Sequence, residues 1–346
     1  MKVAVLGAGS WGTAIASVVA ENGHKTTLWA RRREQADEMN QEHRNHRYLQ
    51  RAILPDTLCA THNLCEAVEG AELIVVAVPS KSVAHVAEDL SACLSSSIPV
   101  VAHAVKGFDP DSKMRVSEVL AVRAHIPEEQ IAVITGPSHA EEVIAHLPAT
   151  IVVASKRRLI AETVQDVLMN QYLRVYTNPD VVGAELGGSL KNIIALAVGV
   201  ADGLGAGDNA KAALMTRGLA EIVRLGLTFG ASPLTFAGLS GVGDLIVTCT
   251  SIHSRNFRTG RMLGQGKALP EALASIGMAV EGVNSTRIAV ELAKKAAVEM
   301  PIAQTLHRVL FEQMPLDEAV EALMGRARSH EIEEVAKENL TAEWES

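Results

Sequence analysis

The stretch KVAVLGAGSWG, residues 2–12, decides how the rest of the chain is read. It opens with a short, valine-rich apolar run of the kind that forms a strand buried on both faces. Three glycines follow in the spacing G-x-G-x-x-G, at Gly7, Gly9 and Gly12, and an apolar segment from Ser10 to Glu21 then reads as a helix. In that setting each glycine has its own duty. Gly7 permits the tight turn, Gly9 lets the backbone approach a pyrophosphate, and Gly12 lets helix and strand pack closely. The free N–H groups at the helix start hold the phosphates. Isolated, the spacing marks only a glycine-rich turn. Between a strand and a helix, with a second strand behind, it marks a dinucleotide site.

Working outward, the same strand-then-helix rhythm continues. Apolar runs at 2–6, 25–29, 72–78, 99–104, 131–135 and 150–154 read as strands. Between them lie helical repeats such as Val83, Val86, Ala87, Leu90 and Leu94. This alternation predicts a Rossmann-type, doubly wound α/β sheet over residues 1–177. The character changes at YTNPDVVGAEL, where Asn178 before Pro179 reads as a helix cap. Helical patterns alone follow, around 179–201, 209–229, 256–264, 284–297, 302–313 and 316–325, so an all-α C-terminal domain is expected over 178–330. Residues 331–346 form an acidic tail with no assigned role.

Composition narrows the function classes. The 346 residues are 48% hydrophobic and 21% charged, as in an ordinary globular protein, and only 3% aromatic, so the core is aliphatic. A net charge of −8 argues against nucleic acid or an anionic membrane as the principal partner. The start MKVAVLGAGS lacks the long apolar core of a signal peptide, and no segment reads as a membrane span. The four cysteines, Cys59, Cys65, Cys93 and Cys249, show neither metal-ligand spacing nor a disulfide framework, which fits a reduced, cytoplasmic setting. No metal centre is expected from the histidines either: His43 and His46 have no third ligand nearby.

An NAD-selective fold of this type carries a carboxylate at the end of its second strand. Here the chain reads TLWARRREQ, with Arg31, Arg32 and Arg33. Cations at a helix start oppose its dipole unless an anion offsets them. The 2′-phosphate of NADP is such an anion, and a solvated basic turn is the plainer alternative. The expectation is NADP(H), with NAD(H) also accepted.

A candidate proton donor stands in ELGGSLKNIIALAVGVADG. Lys191 and Asn192 border the apolar run Ile193 to Ala201, with Gly187 and Gly188 about one turn ahead. A lysine among apolar neighbours loses hydration, which brings its pKa into the range useful for proton transfer. A glycine pair costs helix stability, and close approach of a ligand or another backbone would justify it. A snorkelling lysine is the alternative. Lys106 follows a strand at its carboxyl end, where α/β crevices form. Gly136 and Ser138 follow the next strand, although Ser138 with Glu141 also spells a capping box. Asp244 precedes another apolar run. Ser254, Arg255 and Asn256 suit a phosphate monoester, or else a surface helix start.

Taken together these motifs resemble the bacterial-type NAD(P)-dependent glycerol-3-phosphate dehydrogenases. The likeness runs through GAGSWGTAIA, AVKGF, GPSHAEEV, the block from Glu185 to Glu221, GVGDLIVTCTSIHSRN and EGVNST. It implies an oxidoreductase that reduces dihydroxyacetone phosphate to sn-glycerol 3-phosphate, reversibly, for phospholipid biosynthesis. Lys191 matches the family's acid/base. Lys106, Gly136, Ser138, Asp244, Ser254, Arg255 and Asn256 match its substrate contacts, and Asn192 is placed to hold a substrate oxygen or the lysine itself. Ser10, Trp11, Arg31, Arg32, Lys106, Ala140, Arg255, Ala279 and Glu281 match its cofactor contacts. The resemblance further implies a homodimer. Two positions depart from the pattern: His139, where an aromatic or apolar residue is commoner, and Phe257, where a basic one is frequent. Two rivals remain open at this point. One is a two-domain reductase for a non-phosphorylated ketopantoate-like or β-hydroxyacid substrate, and the other a dinucleotide-binding sensor without turnover.

Overall fold

A computed structural model describes residues 1–94 and 98–326. The acidic tail and the last four residues of the expected helical domain lie outside the described residues. Eight strands form one sheet: β1 (Lys2–Leu6), β2 (Lys25–Trp29), β3 (Cys59–Thr61), β4 (Leu73–Val76), β5 (Val100–His103), β6 (Ile131–Thr135), β7 (Ala149–Ala154) and β8 (Leu173–Asn178). Their order is β3-β2-β1-β4-β5-β6-β7-β8, parallel throughout except between β6 and β7. The order reverses direction between β1 and β4, where Val3 pairs with Leu73 and Leu6 with Val76. A crevice opens beyond the carboxyl ends of strands at such a switch point, and ligands settle there.

β3 and β8 are absent from the sequence reading, and both are edge strands. Central strands, covered on both faces, write themselves as apolar runs. β8 instead alternates, with Leu173 and Val175 buried and Arg174 and Tyr176 exposed. β3 is only three residues long. A search for continuous apolar runs finds the middle of a sheet and misses its rims.

Among the described residues the strands end at Asn178, and only helices follow. The first, Val181–Gly203, runs through the centre of the second half. Its cap is Asp180, whose carboxylate accepts the Gly183 N–H at 2.8 Å. Asn178, expected to be the cap, instead accepts the Asp180 N–H at 2.8 Å. Pro179 therefore precedes the cap, and the helix begins two residues later than its proline suggests. The helix is long and apolar enough to cross a bilayer by composition, contrary to the expectation that no segment is, yet 94% of its most apolar window is buried within the protein. It is a core helix.

Small residues bring neighbouring helices against it. A Cβ on Gly199 would lie 2.2 Å from the Phe257 carbonyl oxygen, and one on Gly260 would lie 2.0 Å from that of Leu196. Backbone thus packs on backbone between Val181–Gly203 and Arg255–Gly264, which locks the start of the second helix relative to Lys191. Glu185, buried on the long helix, ties the two halves. It accepts from the Ser117 N–H (2.9 Å), the Ser117 hydroxyl (2.6 Å) and Arg115 (2.6 Å), with His103 at 3.2 Å. Burial pushes its carboxyl up, but His103, Arg115 and Ser117 outweigh that and hold it at about 2.

One cysteine expectation needs correction. Cys65, near the start of helix Leu64–Val68, and Cys93, at the end of helix Val83–Cys93, are joined by a disulfide. They are 28 residues apart in sequence but 4.9 Å apart at Cα, a proximity that the tertiary packing of two helices creates and spacing does not reveal. Cys59 and Cys249 are free.

Candidate active site

Three charged side chains from three parts of the chain meet at the seam between the halves. Lys106 follows β5, Lys191 lies in the middle of the long helix, and Asp244 begins helix Asp244–Thr250. The Asp244 carboxylate accepts from Lys191 Nζ at 2.6 Å through Oδ1 and from Lys106 Nζ at 2.8 Å through Oδ2. All three are buried or nearly so. Two ammonium groups on one carboxylate leave a local excess of positive charge in a dry place, which suits an oxygen that becomes negative during reaction.

The two lysines differ in how many donors remain. Lys106 Nζ gives hydrogen bonds to the Gly136 carbonyl (2.8 Å), Ser138 Oγ (3.2 Å) and Asp244, which uses all three of its protons. Lys191 Nζ donates to Asp244 and to the Thr248 hydroxyl, which leaves one N–H of three. Burial and the neighbouring Lys106 lower the Lys191 pKa to about 8, against the opposing pull of Asp244. Asp244 itself sits below its ordinary value: burial pushes it up, and the two lysines more than offset that. The same burial drives the adjacent Cys249 thiol up to about 12, so it stays protonated and takes no part.

The glycine pair ahead of Lys191 is explained by neighbours from the protein itself. A Cβ on Gly187 would stand 2.3 Å from the Ser240 carbonyl oxygen, and one on Gly188 would stand 2.8 Å from Thr135 Oγ1 and 3.6 Å from the Lys106 stem. The glycines bring the long helix against the ends of β6 and the Lys106 loop. Ser138 does not cap: the short helix Ala140–Val143 is capped by the backbone of His139, and Ser138 Oγ turns back to the Gly136 carbonyl at 2.9 Å. Ser138 and Glu141 therefore form no capping box.

Asn192 does not touch Lys191. Its amide nitrogen donates to the Lys106 carbonyl at 3.3 Å, and its oxygen accepts from Asn256 at 2.8 Å. The Asn256 oxygen in turn accepts the Gly282 N–H at 2.9 Å. This buried chain of amides joins the Lys106 loop, the long helix and the helices starting at Arg255 and Glu281. Ser254 caps helix Arg255–Gly264, accepting the Phe257 N–H at 3.2 Å, and Arg255 stands exposed in its first turn. An exposed guanidinium at a helix N-terminus is an anion site by both charge and dipole.

The glycine-rich loop is open on one side only. Gly7 has φ +119°, and a Cβ there would lie 2.7 Å from the Ala77 carbonyl oxygen. A Cβ on Gly12 would lie 1.9 Å from the Gly7 carbonyl oxygen, whereas one on Gly9 meets nothing within 4 Å. Gly9 is the N-cap of helix Ser10–Glu21, and no side chain caps it. The cradle and its unclaimed helix terminus fit a dinucleotide pyrophosphate. Trp11 packs beside Ala14, Leu49 and Ala140. Ser10 Oγ donates to the Tyr48 carbonyl at 3.3 Å. Arg31 and Arg32 are exposed at the carboxyl end of β2, with Arg32 donating to Gln35 at 3.3 Å. Ala279 is half-buried in the loop before helix Glu281–Lys295. Glu281 reaches across to the first half, accepting from the Ser80 N–H at 3.1 Å and from the Ser80 hydroxyl.

Two participants escaped the sequence reading. Thr248 lies four residues after Asp244, one turn along the same helix face, and that spacing was the available signal. Ser80, the anchor for Glu281, carries no signal of its own, because its role exists only across the seam.

A cradle for a dinucleotide at a sheet switch point, beside a buried lysine with a free proton, defines a two-domain nicotinamide-dependent dehydrogenase. Family models describe the chain more narrowly. Residues 2–161 match the NAD-dependent glycerol-3-phosphate dehydrogenase N-terminus, and residues 180–321 match the C-terminus of the same family. The chain is 53% identical over 345 residues to glycerol-3-phosphate dehydrogenase [NAD(P)+] of Geobacillus kaustophilus, covering 99% of each. It is 55% identical over 337 residues to that of Lysinibacillus sphaericus, covering 96% of this chain and 99% of the relative. The crystal structure of glycerol-3-phosphate dehydrogenase from Coxiella burnetii superposes with a TM-score of 0.89 at 42% identity, over 94% of this chain and 98% of that one. The chain belongs to the NAD-dependent glycerol-3-phosphate dehydrogenase family.

Proposed function

We propose that this protein interconverts dihydroxyacetone phosphate and sn-glycerol 3-phosphate with NADP(H), and with NAD(H) in second place, using Lys191 as acid and base. The observation that carries the reading is the one unspent N–H of a buried Lys191, fixed by Asp244 and Thr248. Residues 1–177 supply most of the cofactor site and 178–330 most of the substrate site, with Lys106, Ala279 and Glu281 crossing the seam.

NAD(P)H, when bound, supplies the hydride; the protein supplies everything else. Gly7, Gly9 and Gly12, with Ser10 and Trp11, hold the pyrophosphate end, and Arg31 and Arg32 take the 2′-phosphate. Ala140, Ala279 and Glu281 border the same crevice. Arg255 and the first turn of its helix take the substrate phosphate, while Ser254 and Asn256, whose polar atoms are already engaged, hold that turn in place. Lys191 gives its proton to the C2 oxygen during reduction and accepts it during oxidation. Lys106, fixed by Gly136 and Ser138, keeps the Asp244 charge balanced and adds positive potential where the alkoxide develops. Asn192 keeps the Lys106 loop and the phosphate helix in register with Lys191.

The family match favours this reading over a reductase of non-phosphorylated ketones, and the joint presence of Lys106, Lys191 and Asp244 favours it over a sensor. A cytoplasmic homodimer making a phosphoglyceride precursor goes with it, and sedimentation equilibrium distinguishes dimer from monomer. The direct test follows absorbance at 340 nm, the nicotinamide band, with each cofactor and each of three ketones: dihydroxyacetone phosphate, dihydroxyacetone and ketopantoate. Dihydroxyacetone phosphate is expected to turn over with a kcat/KM far above the low but measurable value for dihydroxyacetone, and ketopantoate not at all. Preference for ketopantoate, or no oxidation of either cofactor, refutes the assignment.

A further inference from the structure

Among the described residues, His139 Nε2 is one of a few buried side-chain atoms at the seam without a hydrogen-bond partner, with Thr135 Oγ1 and Ser240 Oγ, and it alone is a ring nitrogen on the side of the phosphate helix. His139 stands between Ser138, which holds Lys106, and the short helix Ala140–Val143. Its backbone caps that helix while its side chain makes no capping bond. The Nε2 atom is buried and, among the described residues, makes no hydrogen bond. The charged and amide groups beside it are engaged: Lys106 with Ser138, and Asn192 with Asn256. A buried, unpaired ring nitrogen at the edge of a binding site is a place where a ligand atom completes the bonding.

The ring's surroundings say which ligand atom. Its centroid lies 5.7 Å from that of His253, with the planes at 53°. His253 immediately precedes Ser254 and Arg255, so the pair spans from the sheet half to the start of the phosphate helix. The charges facing His139 are Lys191 and Lys106 from the seam and Glu141 and Glu142 from its own helix. Burial and the two lysines favour the neutral imidazole, which presents one N–H donor and one acceptor. With His253 adjacent in sequence to the Arg255 turn, a phosphate oxygen held by Arg255 is an acceptor suited to a neutral N–H on His139.

We propose that His139 is a substrate-binding residue whose Nε2 donates to a phosphate oxygen of the three-carbon substrate, with His253 forming the facing wall. This rests on the proposed function, and it adds a phosphate ligand from the sheet half to those from the helical half. Substrate phosphate then bridges both halves and closes the seam around C2.

The test compares wild type, His139→Phe and His139→Gln with dihydroxyacetone phosphate and with unphosphorylated dihydroxyacetone. Phenylalanine keeps the ring against His253 and removes the donor; glutamine restores a donor without the ring. Loss of one hydrogen bond to a charged oxygen raises KM for the phosphorylated ketone by roughly tenfold or more in His139→Phe. kcat/KM for dihydroxyacetone, kcat and NADPH affinity by fluorescence stay within about twofold, and His139→Gln recovers most of the lost affinity. Unchanged KM in His139→Phe overturns the proposal. So does an equal loss for both ketones, which would mean that the ring only shapes the pocket, or a fall in kcat at constant KM. If His139→Phe fails to bind NADPH, the glutamine variant decides alone, since its KM must lie near that of wild type. A wild type that does not reduce dihydroxyacetone phosphate overturns the proposed function and this inference together, whereas a competent wild type with an indifferent variant overturns only the second.

Discussion

The two halves of this molecule build their sites in opposite ways. The sheet half uses contiguous sequence: Gly7, Gly9 and Gly12 do their work within one strand-turn-helix. The helical half contributes to a cluster collected from far apart, with Lys106 and Asp244 separated by 138 positions and Lys191 and Asp244 by 53. A contiguous site depends on local backbone geometry. A collected site depends on packing, and in particular on the glycines that let the long helix touch its neighbours.

The collected site is where a single change has the largest effect. Lys191→Ala removes the proposed proton donor without opening the cofactor cradle, so kcat for reduction should fall by roughly 10²–10⁴-fold. NADPH affinity, followed by fluorescence, stays at the wild-type level. Retained turnover would take Lys191 out of the mechanism and leave the two halves less different than they look.

Its pH behaviour sharpens the contrast. If Lys191 is the acid, reduction needs its ammonium form, whose pKa lies at about 8, and kcat/KM for reduction should fall as pH rises through that value. Oxidation needs the free amine and rises through the same range. Asp244 raises the Lys191 pKa in the folded protein, so Asp244→Asn lowers it. The reductive limb then moves toward acid by about one pH unit or more, with a lower plateau. A limb that stays in place would show that Asp244 does not act on Lys191 electrostatically.

What the sequence disclosed follows the same division. The central strands, the helix Ser10–Glu21 and the bounds of the later long helices to within a few residues were legible, because each is written in a local period. Lys191, Lys106 and Asp244 were legible as single oddities, charged residues next to apolar runs, but not as partners. Thr248 was visible only as a spacing. The Cys65–Cys93 bond, the Ser80–Glu281 link and the edge strands were illegible, because each is decided by a neighbour distant in sequence. Asn192 was read as a ligand of substrate or lysine; its amide makes no hydrogen bond to Lys191 and instead bridges the Lys106 carbonyl and Asn256. A buried amide and a substrate-binding amide look alike until their partners are known.

The basic turn after β2 tests whether the contiguous half also sets cofactor choice. Arg31 and Arg32 are exposed and, if they take the 2′-phosphate, owe their effect to charge-assisted hydrogen bonds. In the Arg31→Ala, Arg32→Ala double variant, KM for NADPH should rise on the order of tenfold to a hundredfold, with that for NADH nearly unchanged. Equal changes for both cofactors would mean that the arginines serve the fold or the pyrophosphate and not the extra phosphate.

The smallest effects distinguish two glycines of one motif. Gly12→Ala places a methyl 1.9 Å from the Gly7 carbonyl oxygen, on backbone that has no room to retreat. The strand and helix must separate, and unfolding free energy drops by roughly 1–3 kcal/mol even after the better helix propensity of alanine. At Gly9 the same methyl enters open space, and the φ of −80° is one alanine adopts freely. Alanine restricts the unfolded chain, which stabilises, and it is a poorer cap than glycine, which destabilises. These terms nearly cancel, so denaturant midpoints for Gly9→Ala should stay within about 0.5 kcal/mol of wild type. Its cost should appear only when a dinucleotide is added, as weaker NADPH binding, if the pyrophosphate takes the space that the methyl occupies. If Gly9→Ala unfolds as readily as Gly12→Ala, the loop is held by packing alone, and the open side of the cradle is not a ligand site.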